Sequence, residues 1–455
     1  MSINNIEIPF KDGTQSLQEE FLTKDVILRH FPHLLTKSTS AGYGLAVGGI
    51  YTWGQNNLGQ LGNGNTTNNY TPTKINIAVD FKKISVGHNH VLAIAEDDTL
   101  WGWGDNVNGQ LAKNPSTSAT ILTPTKLSDL KWQSIACGLG HSVGITKDGS
   151  LYAWGINSRY QIPYVPAGGS PALQYNSPQL QNQGPIGGWL EVKCGNDHNM
   201  ALRSDGYLYT WGDNTYGQLC MGVLNPSRSY TPTQIYGGNY DSGDCLMFSC
   251  GIYHSVVVKK SDGSLWGWGA NNYYPLLAMS ALGMNPSVTG SPSAVQIAPF
   301  GDPTFWLDID ATNNTFGIYN STLLPSTPST LRLISNNSVI AKETGTLWKK
   351  WSYFNYDATK VAELALTYDG KLWFSGNNRY GLVGSGSAQD TNIPSLSQIG
   401  DKSNYVSYEI SKNGKFCVAL AINDWQQEDV GLMYQDVGGG IVDVDTLLVK
   451  PSILI

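Results

Sequence analysis

The feature that most constrains this chain is a unit that returns in register along most of it. Gly138-Leu139-Gly140-His141 leads to Val143 and Ile145 on alternate positions, then to Asp148-Gly149, then to Leu151-Tyr152-Ala153-Trp154-Gly155. Cys194-Gly195-Asn196-Asp197-His198 leads through Asp205-Gly206 to Trp211-Gly212. Cys250-Gly251-Ile252-Tyr253-His254 leads through Asp262-Gly263 to Trp268-Gly269, and Gly87-His88-Asn89-His90 through Asp97-Asp98 to Trp103-Gly104. The alternating apolar residues suit half-buried strands. Asp-Gly between two such runs is a hairpin signal, because glycine accepts positive φ without steric cost. A polar loop follows each Trp-Gly, as at Gln55-Asn56-Asn57-Leu58-Gly59-Gln60-Leu61-Gly62. The next strand opens with Thr71-Pro72-Thr73, Thr123-Pro124-Thr125 or Thr231-Pro232-Thr233. Proline cannot donate to a ladder, so this strand belongs on an outer edge.

The anchors Trp53, Trp103, Trp154, Trp211 and Trp268 are 50, 51, 57 and 57 residues apart. Ser375-Gly376, within Leu372-Trp373-Phe374-Ser375-Gly376-Asn377-Asn378, is a sixth anchor. The 107 residues from Trp268 to Ser375 fit two units, one of which has lost its anchor. That degenerate unit starts at Phe305-Trp306-Leu307-Asp308-Ile309, which matches Lys131-Trp132-Gln133-Ser134-Ile135. Four strands per unit and a period near 50 residues indicate propeller blades, and seven units fill the span, although the period alone allows six to eight. Residues 405–421 read as the first two strands of a unit with no second half, while Trp53 has a poor first half before it. The C-terminal pair is therefore expected to complete the blade that the N-terminal pair begins, which removes open sheet edges.

The pattern Gly-x-x-His-x-x-Ala-Leu, Asp-Gly, Trp-Gly-x-Asn-x-x-Gly-Gln-Leu-Gly resembles the repeat of the regulator of chromosome condensation family. The resemblance covers roughly residues 40 to 421 and is strongest between Trp53 and Trp268. It implies an all-β, seven-bladed β-propeller, expected over residues 39–424, between an N-terminal helical extension (1–38) and a C-terminal tail (425–455). Members of that family act as nucleotide-exchange factors, ubiquitin-ligase modules and protein inhibitors of enzymes. They share the binding of a macromolecule through one loop-rich face.

The residues point to binding and not to catalysis. His90, His141, His198 and His254 recur once per unit and are expected as hydrogen-bonded structural groups. The Asp-Gly carboxylates are turn residues, one per blade. Cys137, Cys194 and Cys250 share one slot and read as small buried thiols, and Cys220, Cys245 and Cys417 lack metal-ligand spacing. No phosphate loop, nucleophile elbow or zinc motif is present, so no enzyme activity, cofactor or metal is expected.

Charged residues make up 14% of the chain, the net charge is −7 and no Lys/Arg block occurs, so the electrostatic footprint of nucleic-acid binding is missing. No run of 18 apolar residues exists to span a membrane, and the N-terminus has neither the basic nor the apolar region of a signal peptide. A neutral polar surface carrying 24 Tyr and 14 Trp resembles bacteriophage virion proteins that contain these repeats. The expected function is thus a virion structural protein, a tail or head fibre or another surface component. Its partners would be other virion proteins or a host surface receptor, in an oligomeric assembly. The alternative is a cytoplasmic signalling or scaffold propeller that binds a small GTPase or another protein.

The fifth residue after each anchor changes from unit to unit: Leu58, Asn108, Arg159, Tyr216, Tyr273 and Tyr380. This slot is expected on one surface rim. Tyrosine and arginine dominate interface hot spots, so the expected partner contacts are Arg159, Tyr160, Tyr216, Tyr273, Tyr274, Arg379 and Tyr380. Ser16-Leu17-Gln18-Glu19 is a capping box and Pro32 a stop, which predicts a helix over roughly residues 17–31. Phe21, Leu28 and Phe31 would be the buried contacts of an attachment segment.

Overall fold

In the computed structural model the described residues are 47–236, 240–270, 290–296, 305–310, 316–320, 330–335, 338–342, 348–355, 361–367, 370–422, 433–435 and 441–443. The predicted helix, with Phe21, Leu28 and Phe31, lies outside them, as do Tyr273 and Tyr274.

Alternating apolar residues and glycine turns fold each unit into a four-stranded antiparallel meander. Strands β1 (Val47–Gly54) and β2 (Asn69–Lys74) come first in the chain. Blade 2 is β3 (Phe81–Val86), β4 (His90–Ala95), β5 (Leu100–Asp105) and β6 (Thr120–Ser128). Blade 3 is β7 (Trp132–Cys137), β8 (His141–Thr146), β9 (Leu151–Ile156) and β10 (Gln174–Leu180). Blade 4 is β11 (Trp189–Cys194), β12 (His198–Arg203), β13 (Leu208–Asp213) and β14 (Arg228–Gln234). Blade 5 is β15 (Cys245–Cys250), β16 (His254–Lys259), β17 (Leu265–Ala270) and β18 (Gly290–Gln296).

A further sheet follows: β19 (Phe305–Asp310), β20 (Phe316–Asn320), β21 (Thr330–Ser335) and β22 (Ser338–Lys342). Blade 6 is β23 (Trp348–Asn355), β24 (Val361–Thr367), β25 (Leu372–Asn377) and β26 (Asn392–Gln398). Strands β27 (Tyr405–Ile410) and β28 (Phe416–Ile422) then pair with the start of the chain in the order β2-β1-β28-β27, which completes blade 1. Thr52 faces Val418 and Gly54 faces Phe416 across that seam. A short pair, β29 (Met433–Gln435) with β30 (Ile441–Asp443), stands apart in sequence.

The expectation of a seven-bladed propeller is corrected: the propeller has six blades of the repeat construction. In these six the third strand breaks register against the fourth at its Trp-Gly or Ser-Gly end, for instance between Thr210 and Gly212 and between Phe374 and Gly376. The bulge needs glycine. Gly155 has φ 98°, and a Cβ there would stand 2.5 Å from the Gly140 carbonyl oxygen. The sheet β19–β22 has four strands but not this construction. Its β20–β21 and β21–β22 pairings run without a shift, and Ser335 faces Ser338 with two residues between them. Without an anchor glycine there is no bulge, and the long loop between third and fourth strands has no root. Strand β19 lies against β15 and β23, so this sheet fills the space between blades 5 and 6.

The core sits between blades. Trp53, Trp103, Trp154, Trp211 and Trp268 are fully buried there, with Trp132 and Trp189 from first strands packed edge-on against their neighbours. Loops joining strands one to two and three to four meet at one end of the propeller, the loop face. The Asp-Gly turns and interblade links meet at the other, the turn face.

Candidate protein-interaction rim

Blades 2 to 5 are pinned each to the next by one repeated set of bonds. Trp154 Nε1 donates to the Gln110 carbonyl at 2.8 Å, and Ser142 Oγ donates to the same oxygen at 2.8 Å. His90 Nε2 is 3.1 Å from Ser142 Oγ. One blade on, Trp211 Nε1 and Asn199 Nδ2 both donate to the Gln161 carbonyl, and His141 Nε2 is 2.8 Å from Asn199 Oδ1. Trp268 and Ser255 repeat this on Gln218, and His198 on Ser255. The Ser142 hydroxyl already donates to a carbonyl and Asn199 Oδ1 can only accept, so each histidine is the donor through Nε2. Burial lowers the pKa of His90 and His198 to about 3 and that of His141 to about 4, with the Lys412 ammonium adding at His198 and His141. The histidines are thus interblade staples. The glycine three places before each, Gly87, Gly138 or Gly195, leaves room for its own imidazole, which a Cβ would meet at 2.0–2.4 Å.

The same loops are stiff. Asn56, Asn106, Asn157, Asn214 and Asn378 each accept through Oδ1 from the backbone N–H five residues on. Gln60, Gln110, Gln161 and Gln218 each accept through Oε1 from the N–H two residues back. That N–H belongs to Leu58, Asn108, Arg159 or Tyr216, the variable slot. The repeat's polar signature therefore holds the backbone of the slot while leaving its side chain to vary.

The predicted contacts fall into two groups on the loop face. Arg159, Tyr160 and Tyr216 lie together on blades 3 and 4. Tyr160 occupies a slot that is glycine in the other regular loops (Gly59, Gly109, Gly217, Gly381) and keeps its left-handed backbone, φ 63°. Its ring packs edge-on against Tyr230 at 5.3 Å, with the Arg228 guanidinium 4.5 Å from its centroid. Arg228 Nη1 also donates to the Ser158 carbonyl at 2.7 Å. Arg159 is more than half exposed and stands 3.8 Å from the Asp213 carboxylate, which Gln218 Nε2 and Thr215 Oγ1 bond from within. Tyr216 is exposed and tilts over Tyr253 at 5.3 Å. Asp197 accepts from Gln161 Nε2 at 2.8 Å, and burial raises its pKa. Arg379 and Tyr380 stand apart on blade 6, where Arg379 and Lys415 flank the Tyr380 ring at 5.7 and 5.4 Å.

Sequence reasoning missed Arg228, Tyr230 and Tyr253. The signal for Tyr230 is an aromatic directly before Thr-Pro, repeated at Tyr70-Thr71-Pro72. Tyr70 plays the matching role, packing where a Cβ on Gly381 would stand 2.3 Å away. Among the described residues, no group of three metal-ligating side chains comes together.

Six blades of one repeat, cross-pinned between neighbours and presenting stiff variable loops, define a β-propeller of the binding-module kind. Residues 35–315, more than half of the chain, match the RCC1-like domain, and the protein belongs to that family. It is similar to the ultraviolet-B receptor UVR8 of Arabidopsis thaliana, 31% identical over 233 residues that cover 49% of this chain and 50% of the receptor. It is likewise similar to the E3 ubiquitin-protein ligase HERC2 of Homo sapiens, 31% identical over 248 residues, 53% of this chain and 5% of the ligase. The match thus spans half or less of the length of these curated relatives. Among solved structures, human WBSCR16 aligns with TM-score 0.64 at 18% identity over 83% of this chain and 99% of that one. Prp20p of Saccharomyces cerevisiae aligns with TM-score 0.65 at 16% identity, over 90% and 97%. At these identities the likeness is one of fold. The relatives are proteins of plants, yeast and human, and they lend the virion expectation no support.

Proposed function

We propose that this protein is a non-enzymatic binding platform for another protein, contacted through the loop rim of blades 3 to 5 around Tyr160. The observation that carries this reading is the left-handed Tyr160. A bulky residue with positive φ costs free energy and persists only where its surroundings over-determine it, and such residues gather at functional positions. Here Tyr230 and Arg228 hold the ring, Arg159 precedes it in the same loop, and Tyr216 stands on the corresponding loop of the next blade, against Tyr253. Rigid aromatics with adjacent arginines supply contact area at low entropic cost. The fold relatives support a protein partner. Prp20p is described with binding properties to Gsp1p and histones, and yeast RCC1 with bound Kap60. In this reading the partner is a folded protein, such as a small GTPase or a scaffold component.

The test replaces Tyr216 by a photo-crosslinking amino acid in the full chain and maps the partner that it captures. Binding of that partner to Arg159→Ala and Tyr160→Gly variants is then measured. Each variant should weaken binding by about tenfold or more, roughly 1.4 kcal/mol, with stability changed by no more than about 1 kcal/mol. A captured partner whose footprint spares this rim would overturn the proposal.

A further inference from the structure

The turn face carries an apolar patch that the repeat does not explain. The second residue of each first strand is bulged out of its pairing, as the register shows between Trp189 and Glu191 and between Cys245 and Met247. In blade 1 this residue is Val406, partly buried against the core, and in blades 2, 3 and 6 it is polar and bonds a nearby group. Lys82 pairs with Asp98, Gln133 Nε2 donates to the Trp189 carbonyl at 2.9 Å, and Lys349 Nζ donates to the Val406 carbonyl at 2.8 Å. In blades 4 and 5 it is Leu190 and Leu246, about half exposed at 50% and 51%. Strands β11 and β15, which carry them, lie against each other. Ile186 on the link into β11 and Tyr207 on the Asp-Gly turn of blade 4 are exposed on the same face. Exposed apolar side chains gathered on one face of adjacent blades mark a surface that something covers.

The path of the chain identifies a candidate cover. Val47 pairs with Ile422 at one end of the blade 1 seam, and Gly54 with Phe416 at the other. The Gly54 end is the loop face, because Gln55 N donates to the Lys415 carbonyl in the loop between β27 and β28. Residues 1–46 therefore join β1 on the turn face, the face of the patch. That stretch holds the capping box at Ser16 and an apolar side at Leu17, Phe21, Leu28 and Phe31. The 15 residues 32–46 reach at most about 50 Å when extended, enough to lead from Val47 across the face to blades 4 and 5.

We propose that residues 17–31 dock as an amphipathic segment on the turn-face patch of Leu190, Leu246, Ile186 and Tyr207. The segment lays its apolar side on the leucines, removes them from water and leaves the loop face open. This occupant is distinct from the loop-face partner, and neither reading depends on the other.

The experiment uses the full chain with a photo-crosslinking amino acid at Leu190 or Leu246, and at Leu173 on the loop face as control. Crosslinks from the first two positions should map within residues 17–31 of the same molecule and be independent of protein concentration. The control should give none to that segment, and Phe21→Ser with Leu28→Ser should abolish the crosslinks while thermal melting stays cooperative. Crosslinks to residues 423–455, concentration-dependent crosslinks between copies, or no crosslink at all would each overturn the proposal.

Discussion

Trp154 of blade 3 and Gln110 of blade 2 meet through one hydrogen bond, indole Nε1 to main-chain carbonyl at 2.8 Å, in a fully buried seam. The Gln110 side chain holds the variable slot of its own loop while its carbonyl holds the next blade. One residue thus couples the stiffness of the rim to the packing of the ring.

From this coupling, Trp154→Ala and Trp211→Ala should each destabilise the propeller by roughly 3–5 kcal/mol, since truncating a buried aromatic leaves a cavity. Trp154→Phe should cost less, about 1–2 kcal/mol, because Gln110 keeps the Ser142 hydroxyl. Thermal or denaturant melting checks both. Equal melting of Trp154→Ala and parent would remove the indole from the seam.

Acid should loosen the staples before it titrates ordinary carboxylates. The folded pKa values of His90, His141 and His198 lie at about 3 to 4, below the unfolded value near 6.5. Below that value the unfolded state binds more protons, so stability is full above pH 6.5 and is lost as pH falls towards the folded values. At pH 5 the loss is on the order of 2 kcal/mol per histidine. Asp105 and Asp197, raised by burial, act in the opposite sense at lower pH. Melting measured from pH 7.5 to 5 should fall steadily, and His141→Gln should flatten the fall. A pH-independent midpoint over that range would place these rings in solvent.

Much of the seam was legible in the sequence, and the physical reason is that each part needs one residue type. Only glycine leaves room for the imidazole at Gly138, and only a flat indole fills the gap that Trp154 fills. The 305–342 stretch reads in sequence as a degenerate seventh unit because Phe305-Trp306 imitates the start of a blade, while the loss of the anchor glycine removes the bulge that would have made the rest a blade of the repeat. On the rim, Arg159 and Tyr216 were legible as variable positions on an otherwise fixed loop. Arg228 and Tyr253 were not, because they belong to other elements, brought beside Tyr160 and Tyr216 by blade packing and not by sequence spacing.

Ring closure gives a further test. β28 supplies β1 with its only described partner on that side, from Ile50 facing Leu420 to Gly54 facing Phe416. Truncation after residue 404 would leave an open edge on β1 and uncover Trp53 beside Cys417 and Ala419. The truncated chain should aggregate or lose its cooperative transition in calorimetry. A monomeric product with a sharp transition would show that blade 1 stands without its C-terminal half.

Tyr160→Gly separates strain from contact. Glycine adopts φ 63° without the cost that tyrosine pays, which gains about 1 kcal/mol. The variant also loses the edge-on packing on Tyr230 and the Arg228 contact, an aromatic pair and a cation–π pair together worth roughly 1–2 kcal/mol. These effects oppose each other, so melting should shift by no more than about 1 kcal/mol. Binding has no such compensation, because the ring and the guanidinium it orders are both displaced from the rim. Tyr160→Phe should keep the packing on Tyr230 and most of the affinity. The readout is partner affinity set beside melting for the three proteins. If Tyr160→Gly bound as tightly as the parent, the left-handed tyrosine would be a packing solution of blades 3 and 4 and not a contact.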